Sequence, residues 1–302
     1  MNRQFGKQYF ALCLGLTALI SSVAWGQTTS FTASYKGQGV ASTSCNTTDT
    51  ITGEEPSASG TYPVFLYMVG TTETSTNASA TAAVQGMANM GYVAATIQYD
   101  SAEFGSCSQI AGKAMCIFNP KSTSSAVEVL CARAKADCTK GIVVGGFSQG
   151  AVMATLAKNT DSRVQAAWGM GDGVSYATFN LSSCMANGKR TLPSDRLRAV
   201  NGDKDEFTGA TEAAQQTNMQ SLTGFDCSSG STSCLQSNGS GWIIVQDDQT
   251  QADDADHCYM RDGGCLASEN SLDSGWKNGS SNWQLNANLK WLTQFTTAGA
   301  AD

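Results

Sequence analysis

The stretch from Gly141 to Ala151 constrains this chain more than any other; it reads Gly-Ile-Val-Val-Gly-Gly-Phe-Ser-Gln-Gly-Ala. The β-branched run Ile142-Val143-Val144 predicts a buried strand. It leads directly into Gly146-Phe147-Ser148-Gln149-Gly150, a G-x-S-x-G pentapeptide, and residues 151–158 are good helix formers. A strand that turns this sharply into a helix strains the backbone at the turning residue. It also brings the two elements so close that only small neighbours fit, which accounts for glycine at 146 and 150. Such a turn lifts the Ser148 hydroxyl clear of the sheet, and the N–H groups opening the helix face the same point.

In this setting the pentapeptide resembles the nucleophile elbow of the α/β-hydrolase superfamily. Its Gly-Phe-Ser-Gln-Gly form is similar to that of cutinases and small carboxylesterases. The motif is specific for the superfamily and much less so for any substrate. The resemblance implies a mostly parallel central sheet flanked by helices, and a carboxylic-ester hydrolase that uses a Ser-His-Asp triad, forms an acyl-enzyme and needs no cofactor.

The rest of the chain alternates strand and helix, which calls for crossover connections and a mostly parallel sheet. Residues 31–52 are polar, with edge-strand alternation around Phe31–Tyr35. Strands are expected at 62–68, 92–99, 165–168, 197–200 and 242–245. Helices are expected at 79–90, from the capping box Ser125/Glu128 to near Cys138, at 211–222, and at 282–295. Residues 100–120 read as an irregular loop walling a cleft, and 174–196 as a polar insertion.

A serine hydroxyl becomes a useful nucleophile only when a neighbouring base takes its proton. The chain has one histidine, so a histidine base for Ser148 can only be His257, which follows the last core strand. The acid is expected after the strand ending at Val200, where Gly202-x-x-Asp205 resembles the G-x-x-D pattern of many such esterases. Asp205 is therefore the expected acid, with Asp203 second and Asp172 third. Asp203, next to Gly202, suits a structural turn role. An oxyanion hole is expected from the Gln149 N–H together with the N–H of Gly70 or Thr71. Hydrolases of this fold often carry a His-Gly pair near position 70; the histidine is absent here, but only a backbone donor is required.

Residues 1–26 read as a secretory signal peptide: Arg3 and Lys7, an apolar run from Tyr9 to Val23, then Ala24-Trp25-Gly26. Of 18 Lys and Arg, those two lie in the leader, so 16 remain against 25 Asp and Glu, a net charge near −9. An acidic surface disfavours nucleic acid and anionic lipid. No segment is long and apolar enough for a membrane span. The expected protein is thus secreted, extracellular or periplasmic, and monomeric. It would be a single domain over 27–302 acting on esters, polymeric ones included. A peptidase on the same fold, or a silent binding protein, are the alternatives.

Of 11 cysteines, Cys13 lies in the leader, leaving ten, an even number in an exported chain that suggests five disulfides. Proximity in sequence suggests Cys107/Cys116, Cys131/Cys138, Cys227/Cys234 and Cys258/Cys265, leaving Cys45 with Cys184. Seven helical residues rise about 10.5 Å, so pairing Cys131 with Cys138 requires the helix to unwind first. The carboxylates of Asp247, Asp248, Asp253, Asp254 and Asp256 could gather calcium, but a solvated acidic loop is the expectation, with no metal.

Overall fold

Runs such as Val64–Met68 and Ile142–Phe147 have no polar alternation, so their strands must be covered on both faces, and every residue in them is buried. The computed structural model describes residues 26–37, 45–265 and 271–297. The expected leader, 1–26, lies outside these apart from Gly26. Among the described residues no helix is long and apolar enough to cross a membrane.

An antiparallel pair comes first, β1 (Thr28–Gly37) and β2 (Thr47–Pro56), followed by β3 (Val64–Met68), α1 (Ala78–Asn89) and β4 (Val93–Ile97). Next come α2 (Cys107–Phe118), α3 (Ala126–Cys131), β5 (Ile142–Phe147), α4 (Gln149–Leu156) and β6 (Val164–Met170). A small hairpin, β7 (Ser175–Tyr176) and β8 (Phe179–Asn180), and the turn α5 (Ser182–Met185) precede β9 (Leu197–Gly202) and α6 (Glu212–Thr223). The chain ends with β10 (Ser233–Leu235), β11 (Gly241–Val245), α7 (Ser274–Asn278) and α8 (Leu285–Thr293).

Nine strands form one sheet in the order β1-β2-β4-β3-β5-β6-β9-β11-β10. From β4 to β11 every pairing is parallel; the antiparallel pairings lie toward the two edges. Helices flank the sheet in two groups: α1 packs with α8, and α8 with α7, while α2 packs with α3 and α4. Register sets up the functional edge. Met68 of β3 pairs with Gly146 of β5, and Phe147 of β5 with Met170 of β6. Val245 of β11 pairs with Gly202 of β9. The loops leaving these strands therefore emerge side by side at the carboxyl edge, where open α/β sheets hold their ligands.

Three expectations need correction. Residues 107–118 form helix α2, not an irregular loop; Ser106 and Gln109 close a capping box at its start. Residues 174–196 are less polar in space than in sequence, since Val174, Tyr176, Leu181, Met185 and Leu192 are buried. The cysteines bond as Cys45–Cys116, Cys107–Cys184, Cys131–Cys138, Cys227–Cys234 and Cys258–Cys265. Helix α2 explains why two expected pairs fail. Cys107 and Cys116 sit at opposite ends of it, and nine helical steps span about 13.5 Å, out of disulfide reach. Cys131 and Cys138 do pair, because α3 stops at Cys131 and the chain unwinds before Cys138.

Peptide mapping without reduction should recover Cys45–Cys116 and Cys107–Cys184. Removing Cys45–Cys116, whose ends are 71 residues apart, should cost up to about 4 kcal/mol by loop entropy. The Cys258–Cys265 bridge, with a separation of 7, should cost closer to about 2 kcal/mol. Recovery of a Cys107–Cys116 peptide would contradict the helix.

Candidate active site

The strand β5 ends against its neighbours so tightly that the turn after it admits no side chains at two positions. A Cβ on Gly146 would lie 2.4 Å from the Gly150 carbonyl carbon, and one on Gly150 2.1 Å from the Met68 oxygen. Between them Ser148 is forced to φ 54° and ψ −120°, a conformation that ordinary residues avoid. Its N–H is anchored to the Met170 carbonyl at 2.8 Å, and α4 begins at the next residue. Helix start, strained serine and two glycines thus arise from one packing constraint.

The expected acid and base, Asp205 and His257, lie in the loops after β9 and β11. Asp205 Oδ2 lies 2.7 Å from His257 Nδ1, and both side chains are buried. The other Asp205 oxygen, Oδ1, accepts the N–H groups of Phe207 (3.0 Å) and Thr208 (3.1 Å). The turn-holding task that suits Asp203 in sequence is therefore performed by Asp205 itself, while Asp203 Oδ1 is buried with no hydrogen-bond partner. Asp172 is also fully buried, but it accepts from Thr155 Oγ1 and the Gly173 N–H, not from His257. Burial pushes its carboxyl up to about 6.

Two glycines seat the imidazole. A Cβ on Gly202 would lie 1.8 Å from the Ala255 carbonyl oxygen, so the loop carrying His257 can cross the end of β9 only because position 202 is bare. A Cβ on Gly171 (φ +59°) would lie 2.6 Å from the His257 ring. Phe147 and Phe207 flank the ring at centroid distances of 4.8 and 4.7 Å. Behind it, Asp256 accepts the N–H groups of Cys258 and Cys265, reinforcing the Cys258–Cys265 bridge. Burial alone would lower the His257 pKa. The charge and hydrogen bond of Asp205, helped by Glu206 and Asp256, outweigh burial and raise it above 6.5.

Ser148 and His257 line one cavity of about 440 Å³, with no hydrogen bond between them in this structure. Catalytic contacts of unliganded sites commonly tighten only on substrate binding. The cavity wall is aromatic: Phe104 lies 4.7 Å from Tyr176 and 5.3 Å from Phe179, and Phe147 and Phe207 face it near His257. Its charged lining residues Glu73 and Arg261 form an ion pair with each other.

Of the expected oxyanion donors, Gly70 is not available: its N–H is given to Glu73 Oε2 at 2.7 Å. The N–H groups of Thr71 and Gln149 bond to none of the described groups, and the Gln149 amide donates to Thr71 Oγ1 at 3.1 Å. Sequence reading missed Glu73, Arg261, Gly171 and the three rings Phe104, Tyr176 and Phe179. Only Gly171 left a trace, in the crowded run Gly169-Met-Gly-Asp-Gly173. Among the described residues no cluster of His, Cys, Asp and Glu could hold a metal ion.

No protein-family model matches the sequence, and neither does any curated protein. Solved structures with a similar fold include a protein provisionally assigned as a dienelactone hydrolase from Klebsiella pneumoniae subsp. pneumoniae. It is 14% identical over 73% of this chain and 85% of its own, with a TM-score of 0.43. Esterase Est22 is 12% identical over 59% of this chain and 65% of its own (TM-score 0.39). A brefeldin A esterase, a bacterial homologue of human hormone-sensitive lipase, is 13% identical over 65% of this chain and 64% of its own (TM-score 0.40). This chain thus spans just under two thirds of the length of each esterase. Likeness this loose carries no argument about chemistry. The α/β-hydrolase fold is stated by the chain itself, in its parallel sheet from β4 to β11, its flanking helices and the turn at Ser148.

The single histidine makes one measurement clean. An NMR titration of the imidazole should show one midpoint, above 6.5 in the wild type. Asp205→Asn removes the largest raising influence and leaves burial, so the midpoint should fall below that of the wild type. An unchanged midpoint would mean that the two side chains do not interact in solution.

Proposed function

We propose that this chain hydrolyses carboxylic esters, with Ser148 as nucleophile, His257 as general base and acid, and Asp205 as the group that orients the imidazole. The observation that carries this reading is the 2.7 Å contact between Asp205 and His257, made at the cavity into which the strained Ser148 opens. Asp205 on Nδ1 holds the proton there and leaves Nε2 free to take one from Ser148 Oγ. The oxygen attacks the ester carbonyl as the proton moves to Nε2. The resulting oxyanion is received by the N–H groups of Thr71 and Gln149 at the start of α4. Collapse expels the alcohol, protonated by His257, and leaves an acyl group on Ser148. Water, deprotonated by the same nitrogen, then releases the acid.

The aromatic wall and the paired Glu73 and Arg261 suit an uncharged ester whose apolar group packs against Phe104, Tyr176 and Phe179. Five disulfides and the expected leader fit an exported enzyme acting on esters outside the cell: polymer side chains, polyesters or short soluble esters.

Ser148→Ala and His257→Ala should each lower turnover of methyl esters by about 10⁴-fold or more, with little further loss when combined. Asp205→Asn should cost roughly 10⁴-fold while the fold survives. Asn still offers Oδ1 to the Phe207 and Thr208 N–H groups but turns an N–H toward His257, imposing the wrong tautomer. A serine-directed phosphonate should add its mass at Ser148. The base must be neutral, so kcat/KM should fall in acid with a midpoint above 6.5. Turnover that survives Ser148→Ala would refute the reading.

A further inference from the structure

Helix α2 turns a face made of Ile110, Lys113, Ala114 and Ile117 inward, and all four are buried. A lysine in an apolar position of a helix is costly unless its ammonium is well bonded. Lys113 is 1% exposed, and its Nζ donates to two acceptors, the Glu103 carbonyl at 2.8 Å and Gln149 Oε1 at 2.7 Å. The ring of Tyr99 lies 5.8 Å from the same nitrogen. The Gln149 carboxamide is engaged at its other end too, where Nε2 donates to Thr71 Oγ1 at 3.1 Å and to the Glu103 carbonyl at 2.8 Å.

We propose that Lys113 is a positioning residue for the oxyanion hole: it fixes the Gln149 carboxamide, which ties Gln149 to Thr71, and it sets a positive charge behind the two N–H donors. The proposal rests on the hydrolase reading above. A carboxamide has one accepting and one donating end. With the ammonium on Oε1, the NH₂ has to face Thr71 and Glu103; flipped, it would set donor against donor. The side chain thus braces the two residues whose N–H groups receive the developing charge. Two staples hold α2 in place for this task, Cys107–Cys184 at its first residue and Cys45–Cys116 near its last.

The charge on Lys113 is open to titration. Burial pulls its pKa down to about 8, against the opposing charges of Asp100 and Glu103. Tyr99, the other ionisable group facing it, is pushed well above 10 by burial and stays neutral there. The protonated form is present below about 8 and lost above it. As pH rises through that value the positive charge disappears and the carboxamide is no longer held in one orientation. Turnover should then decline on the alkaline side, separately from the acid limb set by His257.

The test measures kcat and KM for methyl esters from pH 5 to 10 in the wild type, Lys113→Met and Lys113→Arg, together with inhibition by an alkylboronic acid that forms an anionic adduct on serine. Wild-type kcat should fall above about pH 8. Lys113→Met should lose about 10- to 100-fold in kcat, less than the loss of a direct oxyanion donor, with KM changed by less than about threefold and no alkaline limb. Its affinity for the boronic acid should fall by a similar factor. Lys113→Arg should restore part of the turnover and keep it at high pH, because arginine stays charged. A wild-type kcat that is flat from about pH 7 to 10 overturns the proposal even if Lys113→Met does not fold. A folded Lys113→Met within about twofold of wild type overturns it as well. Activity in Ser148→Ala would defeat the hydrolase reading instead; an inert Ser148→Ala beside a fully active Lys113→Met would defeat only the role of Lys113.

Discussion

Everything at the carboxyl edge depends on how closely α4 approaches the end of β3. Gly150 sits where any Cβ would lie 2.1 Å from the Met68 carbonyl oxygen. That contact presses the first turn of α4 onto the segment leaving β3, where the Gln149 side chain reaches Thr71 Oγ1. It also leaves Ser148 no relaxed conformation, since the chain must reverse within one residue between a buried strand and a buried helix. The strain is sustained because β5 and α4 are wholly buried and cannot shift. The strained Ser148 and the start of α4 are one packing event.

The second half of the site is built electrostatically. A buried imidazole next to two phenyl rings would by itself favour the neutral form and hold no fixed tautomer. Asp205 reverses the first tendency and removes the second ambiguity, because its Oδ2 accepts from Nδ1 and its Oδ1 is tied to two backbone N–H groups. A carboxylate bound at both oxygens cannot rotate away, so the imidazole inherits its orientation from the turn after β9. Gly202 lets the His257 loop come within reach, and the Cys258–Cys265 bridge closes it from behind.

Much of this was legible in the sequence. Ser148, Asp205 and His257 are marked by local patterns: glycines in fixed positions, apolar runs that end abruptly, and one histidine in the whole chain. The mostly parallel sheet followed from the alternation of elements, though the order of its strands did not. What stayed hidden was set by contacts between distant segments. That Gly70 serves Glu73 depends on a turn whose geometry has no sequence signature. The aromatic wall joins Phe104 to Tyr176 and Phe179 across more than seventy positions. Helix α2 is obscured in the sequence by Cys107, Gly112 and Cys116, which are poor helix formers. Its real pattern, Ile110, Lys113, Ala114, Ile117, has the right spacing with a charge where an apolar residue is expected.

That misreading and the misassigned disulfides have one cause. Proximity in sequence is a sound guide to pairing where the chain loops back at once, as at Cys131–Cys138, Cys227–Cys234 and Cys258–Cys265. It fails where a helix holds near neighbours apart. With α2 rigid, Cys107 and Cys116 lie toward opposite ends of the helix and bond to partners 77 and 71 residues away. Links of that span restrict the unfolded chain far more than the short ones do, by about 4 kcal/mol against closer to 2 kcal/mol. They hold a helix whose buried face carries an ammonium beside Ile110, Ala114 and Ile117, and which packs against α4. A helix pinned at both ends keeps the Lys113 ammonium against the Gln149 carboxamide.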